Sequence, residues 1–519
     1  MERSARAGKL TGMEKQAKRS LYLETFGCQM NVLDSELVRG ALEREGYGLT
    51  ADLRSADVVL FNTCSVRQHA EDKVYGRLID LRRMKLDRPE MVIGVIGCMA
   101  ERDGPGLLSR MPHVDLLCGP GHLGHLPGLI EEVLAGRARE AGFGERAAVA
   151  LAGVEKRSVA KALRDPNAGG LEELDSSRQY FTGENAFQAY VRIQRGCDKF
   201  CTYCVVPFTR GPERSRSPAS IVDECRMLAD RGVREVTLLG QTVNSYQHEE
   251  GGGRVDFADL LARVHEVSGI ERIRFTTSFP KDFPNAVFEA IRDLPKLCEY
   301  VHMPAQSGSD AVLMRMKRTY SVGEYRDVIE RARSIIPGVE LASDFIVGFC
   351  GETEEDFAQT LELARWGRFK NSFIFKYSPR PGTSAERNLA DDVPESVKRE
   401  RNHRLLEVQE HSSRAIHESK VGHTVEVLVE GPSRKANDPR HRHEDGTIQL
   451  TGRTRGDLIC VFDGKAELAG RLAKIRVSGA SPYTLFGEIC EVEGESVRPH
   501  RAEAQGPRGA VRLPLPLLG

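Results

Sequence analysis

Cys197, Cys201 and Cys204 stand in the run Arg195-Gly196-Cys197-Asp198-Lys199-Phe200-Cys201-Thr202-Tyr203-Cys204. Three thiolates this close along the chain can close on one small metal centre. A structural zinc site pairs its cysteines as C-x2-C with a distant second pair, whereas the spacing here is C-x3-C-x2-C. Three ligands on a four-iron cube leave one iron unclaimed by protein, and an open iron is where a reactive cofactor binds. Asp198, Lys199 and Thr202 make the run a polar loop, which argues against three cysteines packed as small hydrophobes.

Cys28, Cys64 and Cys98 are scattered in the chain but share a context: Phe26-Gly27-Cys28, Asn62-Thr63-Cys64 and Ile96-Gly97-Cys98. Each directly follows an apolar, strand-like run. The C-terminal ends of parallel strands lie on one edge of a sheet, so one βα unit per cysteine brings all three thiols to one rim. Gly27 and Gly97 allow close backbone approach to a bulky inorganic centre. Again there are three ligands, which fits a second cluster with an open iron. Cys118, at the end of a fourth run, is the alternative additional ligand. Cys225, Cys298, Cys350, Cys460 and Cys490 are isolated, and core packing is expected of Cys225 and Cys460. His122 and His125 lack a partner set for zinc, and Gly119-Pro120-Gly121 reads as a turn.

The elements that would position these residues form three arrays. Between 20 and 145 the runs Leu21–Gly27, Asp57–Thr63, Met91–Gly97 and Val114–Leu117 alternate with helix-like stretches such as Ser35–Glu45 and Gly124–Ala135, the pattern of a parallel α/β domain. A polar stretch, 146–185, reads as a linker. Residues 186–415 carry six strand candidates: Ala189–Gln194, Glu235–Leu239, Arg272–Thr277, Tyr300–Met303, Leu341–Val347 and Phe373–Tyr377. Ser217-Pro218 and Ser321 are start signals for the intervening helices Ile221–Arg231 and Tyr325–Ile335. Six βα units predict a partial (β/α)6 barrel, with the cysteine loop at the end of its first strand and hence at the mouth. From 418 to 491 five short runs separated by Gly-bearing turns predict a small β-barrel of the oligonucleotide-binding kind. They are Thr424–Val429, Gly446–Leu450, Asp457–Phe462, Leu472–Val477 and Tyr483–Glu488. The tail 497–519 has no period and is expected to be disordered.

The 519 residues carry 74 Lys+Arg against 75 Asp+Glu, a net charge of −1, so any argument for a nucleic-acid partner must be local. The local candidates are Arg434-Lys435 and Arg440-His441-Arg442-His443 between the first two strands of the small barrel, with Arg453 and Arg455 in the next turn. Arg210, Arg214 and Arg216 lie beside the cysteine loop. Such clusters can track phosphates. No apolar run approaches the ~18 residues of a membrane span. Met1–Ser20 is basic without an apolar core, which is not a secretory signal. The 12 cysteines in metal-like clusters point to a reducing, cytoplasmic setting.

These motifs, in this order, resemble the radical S-adenosylmethionine (SAM) methylthiotransferases over residues 20–491. The resemblance rests on Thr25-Phe26-Gly27-Cys28-Gln29-Met30-Asn31, Asn62-Thr63-Cys64, Gly97-Cys98-Met99-Ala100 and the cysteine loop. It extends through Gly240-Gln241-Thr242-Val243-Asn244-Ser245-Tyr246, Gln306-Ser307-Gly308-Ser309, Asp344-Phe345-Ile346-Val347-Gly348-Phe349 and Ser378-Pro379-Arg380-Pro381-Gly382-Thr383. Within that family Cys64-Ser65-Val66-Arg67 with Ala70-Glu71, and Val206 to Arg216, resemble the branch acting on isopentenyladenosine in tRNA. Sister branches act on threonylcarbamoyl-adenosine or on an aspartate of a ribosomal protein. Thr242 stands where the family usually has Asn, and Cys350 where it usually has Pro.

The resemblance implies two [4Fe-4S] clusters, on Cys197/Cys201/Cys204 and on Cys28/Cys64/Cys98, and two uses of SAM. One SAM, chelated by the first cluster, yields the radical that removes the C2 hydrogen of the adenine. The other methylates sulfur carried by the second cluster. Tyr203 would lie against the SAM adenine, and Gln241, Asn244, Gln306, Ser307 and Asp344 would shape the SAM and base pocket. The small barrel would be a TRAM-like RNA-binding module. tRNA, a sulfur donor and an electron donor such as flavodoxin or ferredoxin are the implied partners of a monomeric enzyme. An electron-transfer protein or a nucleic-acid binder with structural clusters are the competing readings, and neither needs three-ligand open sites.

Overall fold

The computed structural model describes residues 19–65, 68–137, 148–151, 174–175, 178, 186–438, 443–493 and 495–496. The expected tail, most of the linker, and Arg440 and Arg442 lie outside the described residues.

The first array is a parallel sheet of six strands in the order β2-β1-β3-β4-β5-β6. They are β1 Arg19–Phe26, β2 Tyr47–Leu49, β3 Val58–Thr63, β4 Val92–Gly97, β5 Leu116–Cys118 and β6 Ala148–Ala150. β3 and β4 are buried at every position, as apolar strands covered on both faces by helices must be. Two strands go beyond the sequence expectation. β2 is a short edge strand, and β6 comes from the stretch read as linker, pairing with β5. Three-residue edge strands carry too little alternation to be seen in sequence.

The second array is the expected partial barrel. β7 Gln188–Arg192, β8 Glu235–Leu239 and β9 Arg272–Thr276 form one parallel sheet, and β10 Tyr300–His302, β11 Glu340–Val347 and β12 Asn371–Lys376 the other. A parallel bridge between Ile273 and Leu297 joins them into one curved wall. The helix Pro218–Asp230 starts with Pro at its first turn and Ser217 accepting from the Ser220 N–H. Ser321 and Glu324 make a reciprocal capping box for Val322–Ile335. Outward strand residues such as Val191, Val236, Leu238, Ile273 and Phe345 pack with the helices in one large core.

The third array is a closed five-stranded antiparallel barrel, β13 Thr424–Pro432, β14 Ile448–Thr454, β15 Ile459–Gly464, β16 Leu472–Ser481 and β17 Thr484–Val492. A parallel β15–β17 pairing closes it, which removes the exposed edges that an open sheet would leave.

This small barrel docks on the floor of the large one, where the barrel strands begin. Arg274 donates to the carbonyls of Thr454 and Arg455, and Arg272 to the Arg453 carbonyl and Glu426. Lys370 pairs with Asp457, Arg455 with Glu299, Arg453 with Glu430 and Asp457, and Lys420 with Glu340. Gly456 lies so close to the floor that a Cβ there would stand 2.5 Å from Glu340 Cγ. Arg455, expected on an RNA-facing turn, is therefore an interdomain fastener, its charge consumed by a carboxylate that the docking brings near. Arg453, from the same turn, is paired inside the small barrel with Glu430 and Asp457 and offers its carbonyl to Arg272.

Candidate functional site

The three strand-end thiols of the first sheet do meet. β1, β3 and β4 run side by side in register, Phe26 against Thr63 and Thr63 against Gly97, so Cys28, Cys64 and Cys98 leave the same rim. Cys28 is the N-cap of the helix Gln29–Arg44, and Cys98 opens the helix Cys98–Asp103. A helix N-terminus carries partial positive charge and favours a thiolate. A hydrogen bond from the Cys64 thiol, the charge of Arg210 and the backbone N–H groups of Asn31 and Met30 lower the Cys28 pKa to about 6. Cys98 is pushed upward by burial, against the pull of Arg210.

Beneath the thiols lies an asparagine bracket. Asn31 Nδ2 donates to Asn62 Oδ1 at 3.0 Å, and Asn62 Nδ2 donates to the Asn31 carbonyl and to Ser35 Oγ, each at 2.9 Å. The glycines serve this bracket. A Cβ at Gly27 would stand 2.6 Å from Asn31 Oδ1 and 2.9 Å from Cys64 Cβ, and one at Gly97, with φ +90°, 2.4 Å from Asn62 Oδ1. Their freedom makes room for neighbouring side chains. Cys118 packs in the core with its thiol against the Gly119 carbonyl, and burial raises its pKa strongly. It is no ligand.

The second triad follows β7, at the mouth of the barrel. Cys197, Cys201 and Cys204 lie within electrostatic reach of one another, and burial raises the pKa of both Cys197 and Cys204. Two contacts here have no signal in the sequence. Arg318 Nη1 donates to Cys201 Sγ at 3.4 Å while its guanidinium stacks on Phe279 and Tyr320. Thr242 Oγ1 lies 3.7 Å from Cys197 Sγ, so the residue that departs from the family pattern faces a candidate ligand. Cys350, the other departure, is buried beside Phe349 and Tyr377 among residues that pack against Tyr203.

Among the described residues no group of three or more His, Cys, Asp or Glu side chains is arranged to hold a metal ion. A zinc site would draw its ligands to ~2.0–2.3 Å of one centre. A four-iron cube instead spreads its cysteines over separate irons, and two all-sulfur triads, each with a cation beside it, suit that demand.

The expected SAM-pocket residues divide. Tyr203 stands in the cysteine loop, edge-on to Phe349 with ring centroids 6.3 Å apart, and burial pushes its phenol well up. Gln241 follows β8 and stays partly exposed. Gln306 takes the left-handed conformation, φ +70°, and its N–H donates to the Asp344 carbonyl at 2.8 Å. Asp344 in turn accepts from His302 Nε2 at 2.9 Å, a mouth residue that nothing in the sequence pattern singles out. Asn244 and Ser307 are corrections. Asn244 spends its amide on the Phe279 N–H and carbonyl, and Ser307 is buried against Ser309 and Thr360. Both spend their polar groups bracing loops.

The basic run after the cysteine loop is corrected in the same way. Arg216 is buried and donates to Glu224, Ser220 and the Arg192 carbonyl. Arg210 has a side chain only 6% exposed and pairs with the fully buried Asp34 at 2.8 Å. Neither presents a free cation to phosphate, because each is held by a carboxylate that folding brings to it. Arg214 stays partly exposed in a short pairing with Arg195. Arg434 and Lys435 are exposed on the β13–β14 loop.

Comparison with known proteins matches three family models along the chain. Residues 20–119 match an uncharacterized protein family (UPF0004), residues 191–364 the radical SAM superfamily, and residues 418–490 the TRAM domain. The tRNA-2-methylthio-N(6)-dimethylallyladenosine synthase of Rhodopirellula baltica is 48% identical over 475 residues, 92% of this chain and 96% of that protein. The synthases of the same name from Syntrophomonas wolfei and Moorella thermoacetica are 43% and 41% identical, each over 92% of this chain and 99% of their own length.

Proposed function

The chain belongs to the tRNA-2-methylthio-N(6)-dimethylallyladenosine synthase family, and on that premise we propose that it adds a methylthio group to C2 of N6-isopentenyladenosine beside the tRNA anticodon. One observation carries the assignment to this chain's own residues: two three-cysteine sites, on two different domains, are joined by the single short span from Cys204 to Arg210. The helix Val206–Thr209 in that span packs on the helix that Cys98 opens.

Cys197, Cys201 and Cys204 hold one [4Fe-4S] cluster and Cys28, Cys64 and Cys98 the other. When bound, the clusters and SAM supply the one-electron and sulfur chemistry that an unactivated aromatic C–H bond requires and no side chain offers. The protein's part is position. Arg318 and Thr242 orient the thiols at the barrel mouth, Tyr203 and Gln241 border the cofactor, and the His302–Asp344 pair with Gln306 shapes the rim above it. Arg214, Arg434 and Lys435 are the candidate phosphate contacts.

The relatives are named for the dimethylallyl nucleoside, which favours this substrate over those of the sister branches. A flavodoxin or ferredoxin as electron donor, a separate sulfur donor, a monomeric state and a cytoplasmic setting complete the reading. No helix among the described residues is long and apolar enough to cross a membrane. Mass spectrometry of tRNA nucleosides from a deletion strain tests it: isopentenyladenosine lacking the methylthio group should accumulate, and this chain should restore the modification. Unchanged nucleosides, with a methylthio aspartate missing from a ribosomal protein, would move the chain to a sister branch.

A further inference from the structure

Arg210 occupies an unusual place. It comes from the central barrel, six residues past Cys204, yet its side chain is buried against the thiols of the first domain. Asp34, on the helix that Cys28 caps, accepts from Arg210 at 2.8 Å and from Arg192 at 3.0 Å, one carboxylate oxygen to each. Arg192 continues to Asp175, Arg216 to Asp175 and Glu224, and Arg178 to Glu224 and Glu36. Arg210 is the end of this buried ladder. Its inner side is tied to that carboxylate, its charge acts on the Cys98 and Cys28 thiols, and the helix Val206–Thr209 that it ends packs on the helix that Cys98 opens.

We propose that Arg210 is a positioning residue of the Cys28/Cys64/Cys98 centre, anchored by Asp34, whose buried cation holds the sulfur ligands and raises the reduction potential of the cluster they carry. A guanidinium stays charged under all working conditions and offers several donors in a fixed plane, so it can bind carboxylate and sulfur at once. Adding an electron makes a cluster more negative, and a fixed positive charge in a poorly solvated site favours that form. The barrel mouth has a similar arrangement with other elements: Arg318 lies half-buried against the Phe279 and Tyr320 rings and donates to Cys201.

The inference rests on the assignment of a cluster to the strand-end triad, and one experiment separates the two. In the full-length chain carrying Cys197→Ala, Cys201→Ala and Cys204→Ala, the remaining cluster is reconstituted, its iron counted, and its midpoint potential measured by redox titration followed by electron paramagnetic resonance. Arg210→Gln should shift the reduction equilibrium about tenfold toward the oxidised form, ~59 mV for a one-electron couple. Arg210→Lys, which keeps the charge, should stay near the parent. Asp34→Asn, which removes the counter-charge, should shift the potential upward. Failure of the parent to load any cluster would overturn both the assignment and this inference. A loaded cluster whose potential ignores Arg210→Gln, or moves the same way in Arg210→Gln and Asp34→Asn as simple loosening would make it, would overturn the inference alone.

Discussion

The two ends of the central barrel both bury charge, and they bury it differently. At the floor every named cation meets a carboxylate or a carbonyl: Arg274, Arg272, Lys370 and Arg455 reach partners across the domain boundary, and Arg453 is held inside the small barrel by Asp457 and Glu430. At the mouth Arg318, half-buried, points at Cys201 and at aromatic rings, and at the rim of the first domain the charge of Arg210 acts on Cys98 and Cys28. A buried charge satisfied wholly by protein is a fastener, costly to break and chemically silent. A buried cation aimed at sulfur is half of a site that something else completes.

The strongest test of that contrast is at the mouth and its neighbour. Cys201→Ala and Cys64→Ala should each cut bound iron by about half if each triad holds one cluster of two, as proposed, and abolish methylthiolation, read by iron assay and nucleoside mass spectrometry. Floor variants should do the reverse. Asp457→Ala leaves Lys370 buried without its partner and should destabilise the fold by about 3–5 kcal/mol, whereas Lys370→Met with Asp457→Met should recover most of it. Denaturant unfolding measures this, and iron bound at the cysteines should be unchanged.

Arg434→Ala with Lys435→Ala should weaken tRNA binding and lower the slope of log affinity against log salt by about 1.8, at roughly 0.9 per lost phosphate contact, with iron content intact. Unaltered tRNA affinity would remove this loop from the interface. Acid should separate the two ends more gently. Lys370, Arg453 and Arg274 hold the Asp457 carboxyl well below the usual carboxylate range, against its burial. Stability from that group is present above the ordinary carboxylate pKa of ~3.9 and is lost as pH falls below it toward the folded value. Unfolding experiments that carry the pH down through that range should show a steeper loss in the parent than in Asp457→Asn. Smallest of all, Thr242→Asn keeps a polar group beside Cys197 and should leave iron content unchanged while altering the signal of the barrel-mouth cluster slightly.

Much of this molecule is legible in its sequence. The C-x3-C-x2-C loop, the strand-end positions of Cys28, Cys64 and Cys98, the three arrays and the helix starts at Ser217 and Ser321 follow from spacing, alternation and capping, which are local properties of the chain. What escapes is long-range. β2 and β6 are too short to show a period, and Asn244 and Ser307 look like any polar loop residues until their partners at Phe279 and Thr360 are in place.

The arginines make the boundary clearest. As sequence, Arg210, Arg216, Arg453 and Arg455 are indistinguishable from Arg434: basic residues in polar loops. Folding sends Arg210 to Asp34, 176 positions away, and Arg455 to Glu299, 156 positions away, while Arg434 stays in water. The chain by itself determines where thiols can gather, because strand ends and loop spacing are set by neighbours a few residues apart. Only the tertiary structure decides which charges are free to bind a substrate. Burial and pairing are properties of distant segments brought together, and they turn one cation into a fastener, set another beside sulfur, and leave a third exposed to water.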